Sequence, residues 1–264
     1  MNLLVPTDFS PVAASAGQVG LQLASALGAQ VHFVHVFGMH QQIRFRSLED
    51  ITELEQQARE AAKQNLHTFV RSTQEQTGAE VVVNELVKLG IAFEQVLSLL
   101  EHGQYAAVVM GARGENNLSA KLLGTNTEAI LSDSPVPVII VPEKRTQFPV
   151  KRMALVAEPG SIDFTKLAFM EAIRQSFGAE LMAVGLGTWA DEDRKALTDA
   201  CQPNEWRDVR PKNLTDLYQV LDDAKVDWLT MVHHRRNFFQ RVFTYDFTET
   251  VARHPQTPVL VIPQ

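Results

Sequence analysis

Short apolar runs alternate with longer amphipathic stretches through the first half of the chain, and the alternation then begins again. NLLVPT, AQVHFVHVF, EVVVNELV, YAAVVMGA and VPVIIVP read as five strands, rich in β-branched and aromatic residues. Between them lie helical stretches. SPVAASAGQVGLQLASALG has Ser10 as its N-cap and Gly28 as its stop. A long polar helix is expected from about Ser47 to Thr77, and IAFEQVLSLLEH is a third. A short fourth helix is expected near Thr125 to Ser132. Strands separated by helices do not form hairpins; they make a parallel sheet covered on both faces.

KRMALVAEP restarts the pattern, and FTKLAFMEAIRQSFGAE resembles the first helix in length. ALGAQVHFVHVF returns as SFGAELMAVGLG, and SDSPVPVIIVP as RHPQTPVLVIP. Without gaps, the two fourth strands lie 121 positions apart. That period is too long for a solenoid and reads as a duplicated domain. Two domains also suit a chain of 264 residues. The boundary falls in PEKRTQFPV, which gives domains over residues 1–144 and 150–264. The second copy is shorter, mainly between its second and third strands.

The segment GARGENNLSAKLLGTN, residues 111–126, carries the chemistry. It follows a predicted parallel strand and opens a helix, the place where ligands bind in open α/β sheets. A glycine there lets the backbone come close to a phosphate, and a helix N-terminus offers unpaired N–H groups. Gly111 and Gly114 would turn the chain out of the strand. Gly124 and Thr125 would begin the helix, with the Thr125 hydroxyl capping it or donating to a phosphate. The segment has no Gly-Lys-Ser/Thr of a Walker loop and no dinucleotide fingerprint.

The spacing Gly111-x2-Gly114-x9-Gly124-Thr125 resembles the ATP-binding motif of the universal stress protein family. Asn117-Leu118, the SPVPVIIVP ending and the opening LLVPTDFSP with Asp8 are similar too. The resemblance covers nearly the whole sequence, as two tandem domains. It implies an α/β doubly wound, Rossmann-like fold with strand order 3-2-1-4-5 in each domain. ATP, with or without magnesium, would lie between strands 1 and 4. The resemblance places Pro6, Thr7 and Asp8 by the adenine and ribose, and main-chain groups of Val36 by the adenine. It places Met110 and Gly111 near the ribose and phosphates, and Gly114, Asn117, Gly124, Thr125 and Asn126 around the phosphates.

The second copy departs from the motif throughout. The ungapped alignment puts Val232, Arg235, Tyr245 and Asp246 where the first copy has Gly111, Gly114, Gly124 and Thr125, and Glu158 where it has Asp8. Side chains replace the glycines, and Asp246 sets a carboxylate against any phosphate. One ATP per chain, in the first copy, is the expectation.

Net charge is −7, against a nucleic-acid partner. No apolar run approaches the ~20 residues of a membrane span, and no leader pattern opens the sequence. A single cysteine, Cys201, leaves no intrachain disulfide and fits a reducing, cytoplasmic setting. The histidines show no metal-ligand spacing. No nucleophile–base pair stands out, and Glu115 alone could serve phosphoryl transfer. The expected role is an ATP-binding stress-response regulator or sensor with a protein partner. A nucleotide-free interaction scaffold and a slow ATPase stay open. The resemblance further implies that the two fifth strands pair edge to edge as an internal pseudo-dimer; a homodimer of whole chains stays open.

Overall fold

The computed structural model describes residues 1–38, 48–112, 124–143, 148–159, 162–209, 215–233 and 257–263. The first half runs β1 (Asn2–Pro6), α1 (Pro11–Leu27), β2 (Gln30–Phe37), α2 (Leu48–Thr77), β3 (Val83–Leu89), α3 (Ala92–His102), β4 (Tyr105–Gly111), α4 (Thr125–Asp133) and β5 (Val138–Val141). The second half runs β6 (Arg152–Ala157), α5 (Ala168–Phe177), β7 (Glu180–Leu186), α6 (Asp191–Cys201), β8 (Glu205–Val209), α7 (Thr215–Ala224), β9 (Trp228–His233) and β10 (Val259–Pro263).

The ten strands of the described residues form one sheet in the order β3-β2-β1-β4-β5-β10-β9-β6-β7-β8. Each half therefore has the order 3-2-1-4-5, and the halves meet at their fifth strands. β5 and β10 run antiparallel, with Ile140 opposite Val259 and Val138 opposite Val261. Every other pairing is parallel. An apolar edge strand left open invites association, and here each fifth strand covers the other.

The strands alternate sides as their sequence does. Leu3, Val5, Val31, Phe33 and Val109 join one core with residues of α1, α2, α5 and α6. Leu4, Val34, Val108 and Met110 join the other with residues of α3, α4 and α7. Burying a large apolar side group contributes about 1.5–3 kcal/mol. Ser10 caps α1 by accepting from the Ala13 N–H at 3.2 Å, and Gly28 ends it at φ 63°. Such a positive φ favours glycine.

Strand registers recur between the halves. Leu4 faces His32 and Val108, and Ala154 faces Met182 and Leu229. Gly111 faces Val141, and Val232 faces Ile262. These pairings match the ungapped alignment. One expectation needs correction: the first helix of the second half is not as long as α1. It spans 10 residues against 17, after a 3-10 turn at Phe164–Leu167. The second half is also shorter where expected, since α6 has 11 residues and α2 has 30. Trp189 and Trp206 pack edge to face at 5.2 Å on the α6 side of the sheet, and the Arg194 guanidinium lies 4.8 Å above Trp206.

Cys201 is buried, and burial with the nearby Glu171 carboxylate pushes its thiol up to about 11. Thiolate is the reactive form. Cys201 should therefore resist a maleimide at pH 8 in the native protein and react after denaturation. Rapid native labelling, followed by mass spectrometry, would contradict its burial. Among the described residues, no helix is long and apolar enough to cross a membrane.

Candidate functional site

Strand order reverses between β1 and β4 in the first half, and their carboxyl ends flank a crevice. β4 continues past β1, because Leu4 faces Val108 while β4 runs on to Gly111. β2 also outruns β1. Thr7 N–H donates to the Val34 carbonyl at 2.9 Å. Main-chain groups alternate sides along a strand, so the Val36 N–H and C=O face the same way, beyond the end of β1. They look into the crevice.

The turn from β1 into α1 is heavily bonded. The Thr7 hydroxyl accepts from the Phe9 N–H at 3.0 Å, and one Asp8 carboxylate oxygen accepts from the Ser10 N–H at 3.1 Å. His35 Nδ1 lies 2.8 Å from the Thr7 carbonyl, so Nδ1 carries the proton. Phe9 stacks on His35 at 4.2 Å and holds φ at 66°, an unusual angle for a bulky residue. Thr7 thus uses its main-chain N–H and C=O to build the turn, while half-buried Asp8 stands at the mouth. Sequence reasoning missed Phe9 and His35 as the struts of this wall. Their contact joins distant segments and has no local signal.

The other wall is β4 and α4. Met110 is 6% exposed and sends its side chain into the core, so only its backbone can meet a ligand. Gly124 N–H donates to the Ala112 carbonyl at 3.0 Å, which brings the two ends of the glycine segment together. The Thr127 hydroxyl donates to the Gly111 carbonyl at 3.2 Å. Gly124 is the N-cap of α4 and has no side chain to cap the helix, in contrast to Ser10 of α1. Among the described residues no side chain accepts from the first-turn N–H groups of α4, and Thr125 and Asn126 are exposed beside them. This is the arrangement in which a helix terminus takes an anion.

The structure adds a packing role at Gly111 and corrects one expectation, the identity of the α4 cap. Gly111 is needed for packing: a Cβ there would lie 2.9 Å from Val12 Cγ1 and 3.1 Å from both atoms of the Val12 carbonyl. The first turn of α1 rests directly on it. Gly124 has φ −76° and ψ 152°, ordinary extended backbone, so no positive φ demands a glycine there. Thr125 does not cap α4; it is the first residue inside the helix. Gly114, Glu115 and Asn117 lie outside the described residues, as do Arg235, Tyr245 and Asp246.

The second half is built differently at the same register. Buried Val232 occupies the position of Gly111. Gly185 occupies the position of His35, and a Cβ there would meet Trp189 Nε1 at 2.7 Å. An indole therefore lies where the first half has the His35 ring on Phe9.

Comparison with known proteins places the first half. The model of the universal stress protein family matches residues 1–142. Universal stress protein MJ0577 of Methanocaldococcus jannaschii is 26% identical over 160 residues, which span 55% of this chain and 96% of that protein. Universal stress protein MJ0531 of the same organism is 24% identical over 150 residues, spanning 55% and 84%. Among solved structures, a universal stress protein from Archaeoglobus fulgidus is similar over 100% of this chain and 96% of its own. Its TM-score is 0.70 at 17% identity, a likeness of fold that includes both halves.

Proposed function

The chain belongs to the universal stress protein family, and from that premise we propose that residues 1–144 form an ATP-binding domain and residues 150–264 a domain that binds no ATP. The observation that carries this reading is the N-terminus of α4, whose N-cap Gly124 brings no capping side chain, set beside the end of β4 at the reversal of strand order. The α4 amides, with Gly124, Thr125 and Asn126, hold the phosphates, and Gly114 and Asn117 complete their surround. Val36 meets the adenine edge through its backbone. Pro6, Thr7 and Asp8 line the nucleoside end, where the Asp8 carboxylate accepts from the ribose. Met110 and Gly111 contribute main-chain atoms between the two.

The reaction the site serves is binding. Nucleotide occupancy changes the crevice wall and, through it, the choice of a protein partner, as suits a stress-response regulator or sensor in the cytoplasm. Magnesium, where present, neutralises phosphate charge. The second domain has Val232 and Trp189 in the corresponding crevice and serves to pair with β5.

Titration of ATP, ADP, AMP and cAMP tests the assignment. Affinity should fall as phosphates are removed, because charge-assisted hydrogen bonds at α4 are lost. Asp8→Asn keeps an oxygen for the Ser10 N–H and removes the charge. It should weaken ATP, ADP and AMP by a similar factor, about tenfold for one charged hydrogen bond. AMP binding as tightly as ATP would remove the phosphates from α4.

A further inference from the structure

We propose a second site, separate from the nucleotide crevice, that takes a medium-length aliphatic carboxylate at the seam between the two halves. A cavity of about 400 Å³ lies there, lined by Met1, Ala106 and Pro137 from the first half and Lys166, Phe169 and Ile262 from the second. It sits where the start of β5 faces the end of β10, as Val138 faces Val261. Met1 precedes β1 and Ala106 stands near the start of β4, so the cavity lies at the opposite strand ends from the crevice.

Its chemistry selects the ligand. The volume falls within the usual ~300–1,000 Å³ of small-molecule sites. The walls are almost wholly carbon. Pro135, Pro137 and Pro263 in the lining have no N–H to offer. A sugar or nucleobase would lose its water without gaining partners there. Among the described residues that line the cavity, Lys166 is the one with a charged side chain, exposed at the rim; the α-ammonium of Met1 adds positive charge on the same lining. Asp163 lies near enough to interact with Lys166, but its carboxylate also accepts from the Thr165 N–H and hydroxyl, at 3.0 and 2.6 Å. An apolar tail with one anionic end satisfies both features: the tail fills the cavity and the carboxylate meets the Lys166 ammonium. Because the walls come from both halves, the ligand would hold the seam together.

Isothermal titration of the full-length protein with hexanoate, octanoate and decanoate, below micelle-forming concentrations, tests this. Binding should be saturable at one per protein and strengthen by up to roughly fourfold per added methylene. Decyltrimethylammonium should bind at least tenfold more weakly than decanoate. Lys166→Gln should weaken decanoate about fivefold and leave decanol unchanged. Ala168→Trp and Ala172→Leu, on the cavity wall, should each reduce decanoate binding at least tenfold while circular dichroism and ATP affinity stay as in the parent. Using two wall variants guards against one that fails to fold. The proposal is overturned if decanoate does not saturate, if the cationic amphiphile binds equally well, if Lys166→Gln changes nothing, or if both wall variants bind decanoate normally.

Discussion

Replacing Gly124 by aspartate should remove ATP binding while leaving the fold in place. The backbone at Gly124 has φ −76° and ψ 152°, which any residue can adopt. Aspartate is a favoured N-cap, and its carboxylate accepts from N–H groups two or three residues on. At α4 those donors belong to Asn126 and Thr127, the groups assigned to the phosphates. The new carboxylate would occupy them and repel the ligand's charge. Each charge-assisted hydrogen bond contributes ~1.5–3 kcal/mol, so affinity should fall about a hundredfold or more. Glycine and aspartate differ as caps by only a few tenths of a kcal/mol, so the melting temperature should move by less than about 2 °C. Calorimetry and a thermal melt on the same preparation read both quantities. Retained ATP affinity in this variant would mean that the phosphates lie elsewhere.

Gly111→Val should show the reverse emphasis, a loss of stability ahead of any loss of ligand. A Cβ at this position lies 2.9 Å from Val12 Cγ1, which a rotamer change could relieve. The 3.1 Å approaches to the two atoms of the Val12 carbonyl cannot be relieved that way. The first turn of α1 would have to lift from β4, carrying with it the Ser10 cap and the Asp8 turn. Overpacking of this kind costs about 1–3 kcal/mol. Val12→Ala should rescue the variant only in part, since it removes the Cγ1 clash and keeps the one with the backbone. The second half offers an internal comparison. Val232 stands at this register, and there a 3-10 turn at Phe164–Leu167 precedes a shorter α5. A Gly111→Val melting curve superimposed on the parent's would mean that α1 does not rest on β4 as described.

The elements were legible because their signals are local. Alternating apolar residues, the Ser10 cap and the Gly28 stop each act within one turn or strand, and the repeated endings exposed the symmetry of the sheet. What stayed hidden depends on segments far apart in sequence. A need for glycine at 111 comes from Val12, about a hundred residues earlier. The positive φ of Phe9 is held by stacking on His35. FTKLAFMEAIRQSFGAE has the composition of a full helix, yet only Ala168–Phe177 forms an α-helix, after a 3-10 turn. The loss of motif glycines at Val232 was visible in sequence; the indole of Trp189 beside Gly185 was not, because it folds back from the following loop. The seam cavity is built from both halves and has no sequence signature.

One half of the protein should bind nucleotide and the other should not. Calorimetric titration of the intact protein with ATP tests it most directly. The expected result is a stoichiometry near one for the parent protein and no measurable binding for Gly124→Asp. A stoichiometry of two, or undiminished binding in that variant, would contradict it.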